Sequence, residues 1–302
     1  MNLKMSKKDW AAELVFIVIL LLIALATIYP FLNVLAISFN EANDTIRGGI
    51  TVFPRKFTWN NYAKVLSYPN LITGFVNSVI RTVVGTVLSV FATSLVAYTL
   101  SRKDFMARKG LNVLFMLTMY LSGGMVPGYL LIRDLHLFNN FLVYIIPGLL
   151  GAFYIFLTRS YMEGLPYSLQ ESAMLDGAND LVIFFKVIFP LCAPTLATVA
   201  LFYAVNHWND WFTTYLYCST NEKLTTLQYE LQKIIKSATS AAQQAAQSGN
   251  TQALIEQAKS GGVTPQSIQM AITIVVVVPI IMVYPFLQKY FVSGMTVGAV
   301  KG

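Results

Sequence analysis

The stretch Tyr161–Pro194, YMEGLPYSLQESAMLDGANDLVIFFKVIFPLCAP, is the one sizeable polar insertion between hydrophobic runs that also carries a tight pattern. Ser168-Leu169-Gln170-Glu171 fits a capping box. In such a box the Ser168 hydroxyl accepts from the backbone N–H of Glu171, and the Glu171 carboxylate accepts from that of Ser168. Asp176-Gly177 then ends the helix, because glycine readily takes the left-handed conformation that closes one. Asn179 or Asp180 can cap a second helix, with Leu181, Phe184, Phe185 and Ile188 as its apolar face. Pro190 and Pro194 break that helix before the next apolar run. The spacing predicts two short helices joined at a glycine corner, exposed beside a membrane.

The membrane follows from what flanks this stretch. Of 302 residues, 56% are hydrophobic and 12% charged, a balance foreign to a soluble domain and ordinary for a polytopic one. A helix needs ~20 largely apolar residues to cross a bilayer. Six runs qualify, at 12–38, 72–100, 110–132, 139–160, 190–217 and 268–290. None alternates as the strands of a barrel would. The expected fold is therefore all-α and polytopic, with six transmembrane helices. Lys4, Lys7 and Lys8 precede the first run as they would a signal peptide, yet its apolar character continues through Phe31 and Leu35 to Ile37. That is too long for a signal core, so an uncleaved span is expected.

Basic residues in short loops orient the chain. Lys4, Lys7 and Lys8 place the N-terminus in the cytoplasm, and two crossings later Arg102, Lys103, Arg108 and Lys109 mark a second cytoplasmic loop. Around the quoted stretch, Glu163, Glu171, Asp176 and Asp180 outweigh Arg159 and Lys186, so the parity of crossings assigns that loop to the cytoplasm. The net charge of +7 then reads as topology rather than nucleic-acid binding, since no basic stripe with interleaved aromatics is present.

Several segments resemble one family. Glu171-Ser172-Ala173, Asp176-Gly177-Ala178 and the spaced Phe185, Ile188 and Pro190 resemble the EAA loop of ABC importer permeases, with Ser172 where alanine is usual. Asn77-Ser78, opening the second run, resembles the start of the permease domain. Trp208-Asn209-Asp210 followed by Trp211 resembles a signature of carbohydrate importer permeases. Gln288-Lys289-Tyr290-Phe291-Val292 and the closing Gly294, Gly298, Ala299, Val300, Lys301 and Gly302 resemble the tail of MalG-like carbohydrate permeases. Gly123-Gly124-Met125-Val126-Pro127 is similar to the lipoprotein C and YtcP-like oligosaccharide group.

The resemblance implies a type I ABC importer (MetI-like) permease fold. Residues 1–71 would be an N-terminal transmembrane helix and first outside loop, and residues 72–302 the permease domain. Within the latter, 161–192 would be the EAA coupling loop and 219–267 an outside loop reaching towards an extracytoplasmic sugar-binding protein. Glu171, Ser172, Ala173, Asp176, Gly177 and Ala178 would dock on a dimeric ABC ATPase, which Gly298, Lys301 and Gly302 would also contact. A second homologous permease would complete a heterodimer. The setting would be the bacterial cytoplasmic membrane, crossed several times with both termini in the cytoplasm.

The candidates for the substrate pathway carry alternative readings. Arg81, inside the second run, either lines a polar cavity or snorkels to the outer surface. Trp208 and Trp211 either form an aromatic belt or stack on sugar rings, with Asn209 and Asp210 pairing to hydroxyls. Trp59, Tyr62 and Tyr68 read as interface anchors, and His136 as a surface histidine. Pro127, Gly128, Pro147 and Gly148 either bend helices around a pathway or permit close packing. No phosphate-binding loop, metal-ligand spacing or nucleophile elbow occurs, so no catalytic residue, metal or cofactor is expected. Cys192 and Cys218, about 39 Å apart along one helix at 1.5 Å per residue, lie beyond disulfide reach. The rival to an ATP-driven permease is an ion-coupled secondary transporter of a small polar solute, which would need buried carboxylates or histidines in its spans.

The tail supplies a direct test. Deleting the last eight residues is expected to leave the subunit inserted but to lower sugar-stimulated ATP hydrolysis by the assembled complex. Normal stimulation after the deletion would remove the tail from the mechanism.

Overall fold

Every regular element of the described residues is helical, and the only strand-like pairing is one isolated bridge between Asn40 and Phe57. The structure, a computed structural model, describes residues 7–247 and 263–299. Three helices are long and apolar enough to cross a membrane: Ala12–Ser38 within α1 (Lys7–Ser38), α4 (Leu71–Ser101), and Pro265–Val283 within α13 (Pro265–Ala299). Two bent pairs raise the number to five if each pair is one span: Phe141–Gly148 with α7 (Ala152–Glu163) at 50°, and Asp180–Leu191 with α11 (Ala193–Asn209) at 80°. The run expected at 110–132 is divided into α5 (Arg108–Tyr120) and α6 (Met125–Asp134), neither long enough to cross singly. The interruption lies at Leu121–Gly124, where Gly124 takes a φ of +86°, open to glycine and costly to residues with a Cβ.

The chain divides into two compact units, Met1–Tyr68 with Lys233–Val278 and Pro69–Gln232 with Pro279–Gly302. In the first, the apolar side chains of α1 are exposed along most of its length, as a helix facing lipid requires. Beyond its end, Asn40 organises the loop that follows. Its side chain donates to Asp44 at 3.0 Å and to Thr45 at 3.1 Å, and accepts from the Lys56 amide at 3.0 Å. The Asn40 hydrogen bond holds the Asp44 carboxyl below its ordinary range, with burial opposing and Arg55 reinforcing it. Short helices α2 (Ala42–Ile46) and α3 (Asn60–Leu66) complete the loop. Trp59 is exposed, as an interface anchor should be, whereas the Tyr62 hydroxyl is tied to Ser38 at 2.8 Å.

The second unit is built on α4. Its buried face carries Gly74, Ser78, Arg81, Gly85, Ser89, Thr93 and Ala97, a stripe of small and polar residues at spacings of three and four, while Phe75, Val79, Val83 and Val87 point away. This inverts a soluble helix. In a bilayer lipid solvates the large apolar residues, and small ones let backbones approach. Both α7 and α11 pack on that stripe. Asn77 and Ser78 do not open the helix, which begins at Leu71; they lie inside it and fasten a distant loop. The Asn77 amide donates to the carbonyls of Lys223 and Thr225, both at 2.8 Å, and Ser78 accepts from the Leu227 N–H at 2.9 Å. Gly74 makes room, because a Cβ there would meet the Thr226 backbone at 3.0 Å. From that loop α12 (Leu227–Gln247) departs, burying Leu227, Leu231 and Ile234 as their helical spacing predicts.

Gly85 decides how closely α4 and α11 approach. A Cβ there would lie 2.6 Å from Nε2 of His207. Gly85→Ala is expected to cost about 1–3 kcal/mol through forced displacement of a packed ring. Thermal melting of the purified subunit reads it; an unchanged melting temperature would mean the His207 ring slides aside freely.

Candidate functional site

Two places gather the sequence candidates: a cavity where helices break, and the hairpin at 161–192. The cavity, about 430 Å³, is lined by α4, by the segment around Tyr144 and Gly148, and by α7 and α11. It exists because the helical path is interrupted on two sides of it, before α7 and after α11. At Gly151, before α7, the freed N–H donates to the Tyr203 hydroxyl at 3.0 Å, and that hydroxyl meets Thr93 on α4 at 2.8 Å. At the end of α11, Asp210 turns to an extended conformation, and Arg81 donates to its carbonyl at 2.7 Å. Arg81 also pairs with the Asp210 carboxylate, and its guanidinium lies 4.6 Å from the centre of the Tyr144 ring. Asp210 in turn accepts from the Thr213 N–H at 3.1 Å and hydroxyl at 2.5 Å, capping the helical turns that follow. Side chains thus replace the lost ladder bonds, the condition for broken backbone at membrane depth.

Arg81 is only 3% exposed and lies in the cavity lining rather than reaching a surface. Its partner lies 129 residues away, where no local pattern announces it. The Trp-Asn-Asp-Trp group divides. Asp210 lines the cavity, while Trp208 is buried against Phe75, outside the lining. Asn209 accepts from Gln228 at 3.1 Å, and Trp211 packs with Phe212 and Tyr215 outside the lining. Tyr144, Tyr154, Tyr203 and His207 line the cavity without having been singled out. The signal for them was positional: each lies within a few residues of Pro147-Gly148, Gly151 or the α11 end. Cys192 and Cys218 are both free and buried. His136 is exposed.

The hairpin differs from expectation at its start. Helix α8 (Ser168–Leu175) has Tyr167 as N-cap, and the Glu171 N–H donates to the Tyr167 carbonyl at 3.1 Å. The capping box therefore does not form. Pro166 presets helical φ, the first turn begins there, and Ser168 is already helical, its hydroxyl unable to reach the amide. The other end matches. Gly177 has a φ of +81°, its N–H donates to Met174 O at 3.0 Å, and Ala178 N–H donates to Ala173 O at 2.9 Å, the two bonds of a Schellman motif. Asn179 caps α9 (Asp180–Ile183) by accepting from Val182 N–H at 2.9 Å.

A π-helical turn, Phe184–Ile188, then leads into α10 (Phe189–Leu191) and the bend at Cys192. The buried face is Ile183, Phe184, Ile188 and Cys192, packed on Ala97, Tyr98 and Leu100 of α4. Leu181 and Phe185 are exposed instead. Glu171, Ser172, Asp176 and Gly177 are exposed, Ala173 and Ala178 half-buried, and Leu175 at the tip is 89% exposed. In the tail, Gly298 falls within α13, and Lys301 and Gly302 lie outside the described residues.

Comparison with known proteins bears on both places. Residues 105–297 match the family described as binding-protein-dependent transport system inner membrane component. The chain is 37% identical, over 94% of its length and 96% of the relative's, to the polygalacturonan/rhamnogalacturonan transport system permease protein YtcP of Bacillus subtilis. It is 35% identical to protein LplC of the same organism, over 91% of this chain and 90% of that one. Among solved structures it resembles a chain of a bacterial ABC transporter involved in the import of the acidic polysaccharide alginate. The TM-score is 0.82 at 30% identity, covering 96% of this chain and all of the other.

The Arg81–Asp210 pair generates a double-mutant cycle. Asp210→Asn is expected to cost about 3 kcal/mol, since it leaves the buried Arg81 guanidinium without its counter-ion, and Arg81→Met less, since the Asp210 side chain is 30% exposed. Combined, they should cost clearly less than the sum. Thermal melting of the three variants decides, and strict additivity would mean that the two groups do not act as a pair.

Proposed function

The chain belongs to the family of binding-protein-dependent transport system inner membrane components, and from that membership we propose how it imports an oligosaccharide. It is an ABC importer permease, a transport subunit rather than an enzyme, and such a binding-protein-dependent system pairs it with a substrate-binding protein and a separate ATPase. The relatives named for polygalacturonan, rhamnogalacturonan and alginate support an oligosaccharide as cargo. The ion-coupled alternative is not favoured by this membership.

One observation carries the coupling step. The 161–192 hairpin packs its inner face on α4 and presents Glu171, Leu175, Asp176 and Gly177 outward, an acidic and apolar tip. That tip suits a groove with basic walls on a separate ATPase. ATP binding closes the ATPase pair, tilts the hairpin, and opens the cavity beside Arg81 and Asp210 to the other side of the membrane. Tyr154 offers a partly exposed aromatic face, and Asn206 and Asp210 offer hydroxyl partners, a set that fits sugar. Helices α5 and α6 supply the sixth span across their break, with both termini in the cytoplasm. A second homologous permease completes the pathway as a heterodimer. Residues 72–302 act as the permease domain, with 219–267 facing the binding protein and Gly298, Lys301 and Gly302 reaching the ATPase.

Because Glu171 caps nothing, its substitution separates docking from folding. Gly177 has no neighbour within 4 Å of a would-be Cβ, so Gly177→Val costs only backbone strain, roughly 1–2 kcal/mol. Glu171→Lys and Gly177→Val are each expected to insert and pair with the second permease, then to lose the ATPase or hold it without coupled uptake. Co-purification, ATP hydrolysis and sugar uptake read this. Full retention with full uptake in both variants would show that the hairpin is not the coupling element.

A further inference from the structure

The hairpin has two mechanical connections to the cavity, and they differ in stiffness. The covalent one runs through the π turn Phe184–Ile188 and the 80° bend at Cys192 into α11. Pro190 and Pro194 withhold N–H groups there, so the path is jointed. The other runs through α4, 31 residues with no proline, whose buried face holds Arg81 near one end. From Arg81 to the cytoplasmic end is ~31 Å of helix at 1.5 Å per residue.

At that cytoplasmic end sits Arg102, with a side chain only 11% exposed. It grips Asp104 bidentately, Nε at 3.1 Å and Nη2 at 3.0 Å, which helps hold the Asp104 carboxyl below its ordinary range. The same guanidinium donates from Nη1 to Oε1 of Gln170 on α8 at 3.0 Å, and Nη2 lies 3.3 Å from the Asp180 carboxylate on α9. One side chain thus binds both helices of the hairpin. Gln170 is itself buried, and Tyr98, one turn back on α4, packs on Phe184 with ring centres 5.3 Å apart. A second arginine fixes the neighbouring helix: Arg108 donates to the Leu100 carbonyl at 2.9 Å and to Glu163 at 2.6 Å.

We propose that Arg102 is the transmission residue of this permease: its planar fork ties both hairpin helices to the end of α4, so that hairpin movement shifts α4 and the Arg81 end of the cavity. It is a positioning residue, touching neither ATP nor sugar. Arginine suits the task because its donors diverge in a fixed plane; a lysine ammonium keeps the charge without spanning the partners. The inference rests on the coupling reading of the hairpin.

The test needs no knowledge of the sugar. A reporter, Leu150→Cys, lines the cavity, and the native cysteines are buried. In the whole importer complex, trapping the ATPase with ATP and vanadate is expected to change its rate of labelling by a membrane-impermeant maleimide. Arg102→Ala is expected to shrink that change about fivefold or more while ATP hydrolysis persists, the size of an ordinary coupling energy. Arg102→Lys should fall between. A purely structural role would lower accumulation or melting temperature and leave the response intact, which would overturn the tether. If Arg102→Ala fails to accumulate, Gln170→Met with Asp180→Ala cuts both links to the hairpin while sparing the Asp104 contact; a full response in that pair would overturn it equally. Gly177→Val separates the two readings. If it loses the ATPase while Arg102→Ala responds normally, the tether alone fails. If reporter and ATPase respond fully in Gly177→Val, the coupling reading fails and the tether with it.

Discussion

Inside a bilayer the hydrophobic effect cannot hold helices together, because lipid solvates an apolar side chain as well as a protein core does. The second unit therefore depends on a different interaction, the close approach of α7 and α11 to the small and polar face of α4. Gly85 lets the His207 ring in, and Gly74 admits the Thr226 backbone. Thr93, meeting Tyr203 at 2.8 Å, then contributes a hydrogen bond for which no water competes. Larger residues on that stripe would hold the helices apart and leave the polar groups without partners.

Close packing around one straight-through helix also permits the others to break. Around the cavity the backbone loses its regular ladder before α7 and after α11, and a side chain answers each loss. Tyr203 serves the Gly151 amide and Arg81 serves the Asp210 carbonyl. A charged group at this depth is costly unless paired, and Arg81 meets its counter-ion, an acceptor carbonyl and an aromatic face at once. The cavity, its polar lining and the ion pair are thus one structural event.

The basic residues of the 102–109 segment act twice. By sequence they are the lysine and arginine excess of a short loop that the asymmetry rule reads as orienting the chain. In the folded chain Arg102 and Arg108 neutralise carboxylates of the hairpin and of α7 and satisfy a terminal carbonyl of α4. The side chains that supply that excess also connect the end of α4 to the elements around the hairpin. For this reason the positive charges sit at the helix end rather than farther along the loop.

Much of this was legible in residue order, wherever the physics is local. Apolar runs long enough to cross a bilayer, the left-handed Gly177, the Asn179 cap and the helical spacing of Leu227, Leu231 and Ile234 depend on neighbours within a turn or two. The EAA-like spacing also carried the family. Tertiary structure decided the rest, because the partners lie far away in sequence. Arg81 reads the same whether it snorkels or pairs, until Asp210 arrives from 129 residues away. Asn77 and Ser78 look like a helix start until the 223–227 loop comes to lie on them. Ser168 loses its cap to a turn begun by Pro166, and Trp208 loses its outward face to Phe75. The 110–132 run is apolar enough to span by composition, yet its glycines divide it. Spacing and polarity along the chain determined which segments enter the membrane and where the hairpin turns. Which polar groups meet at depth was decided only when α4, α7 and α11 closed on one another, since a buried charge or freed amide takes whichever partner packing brings within reach.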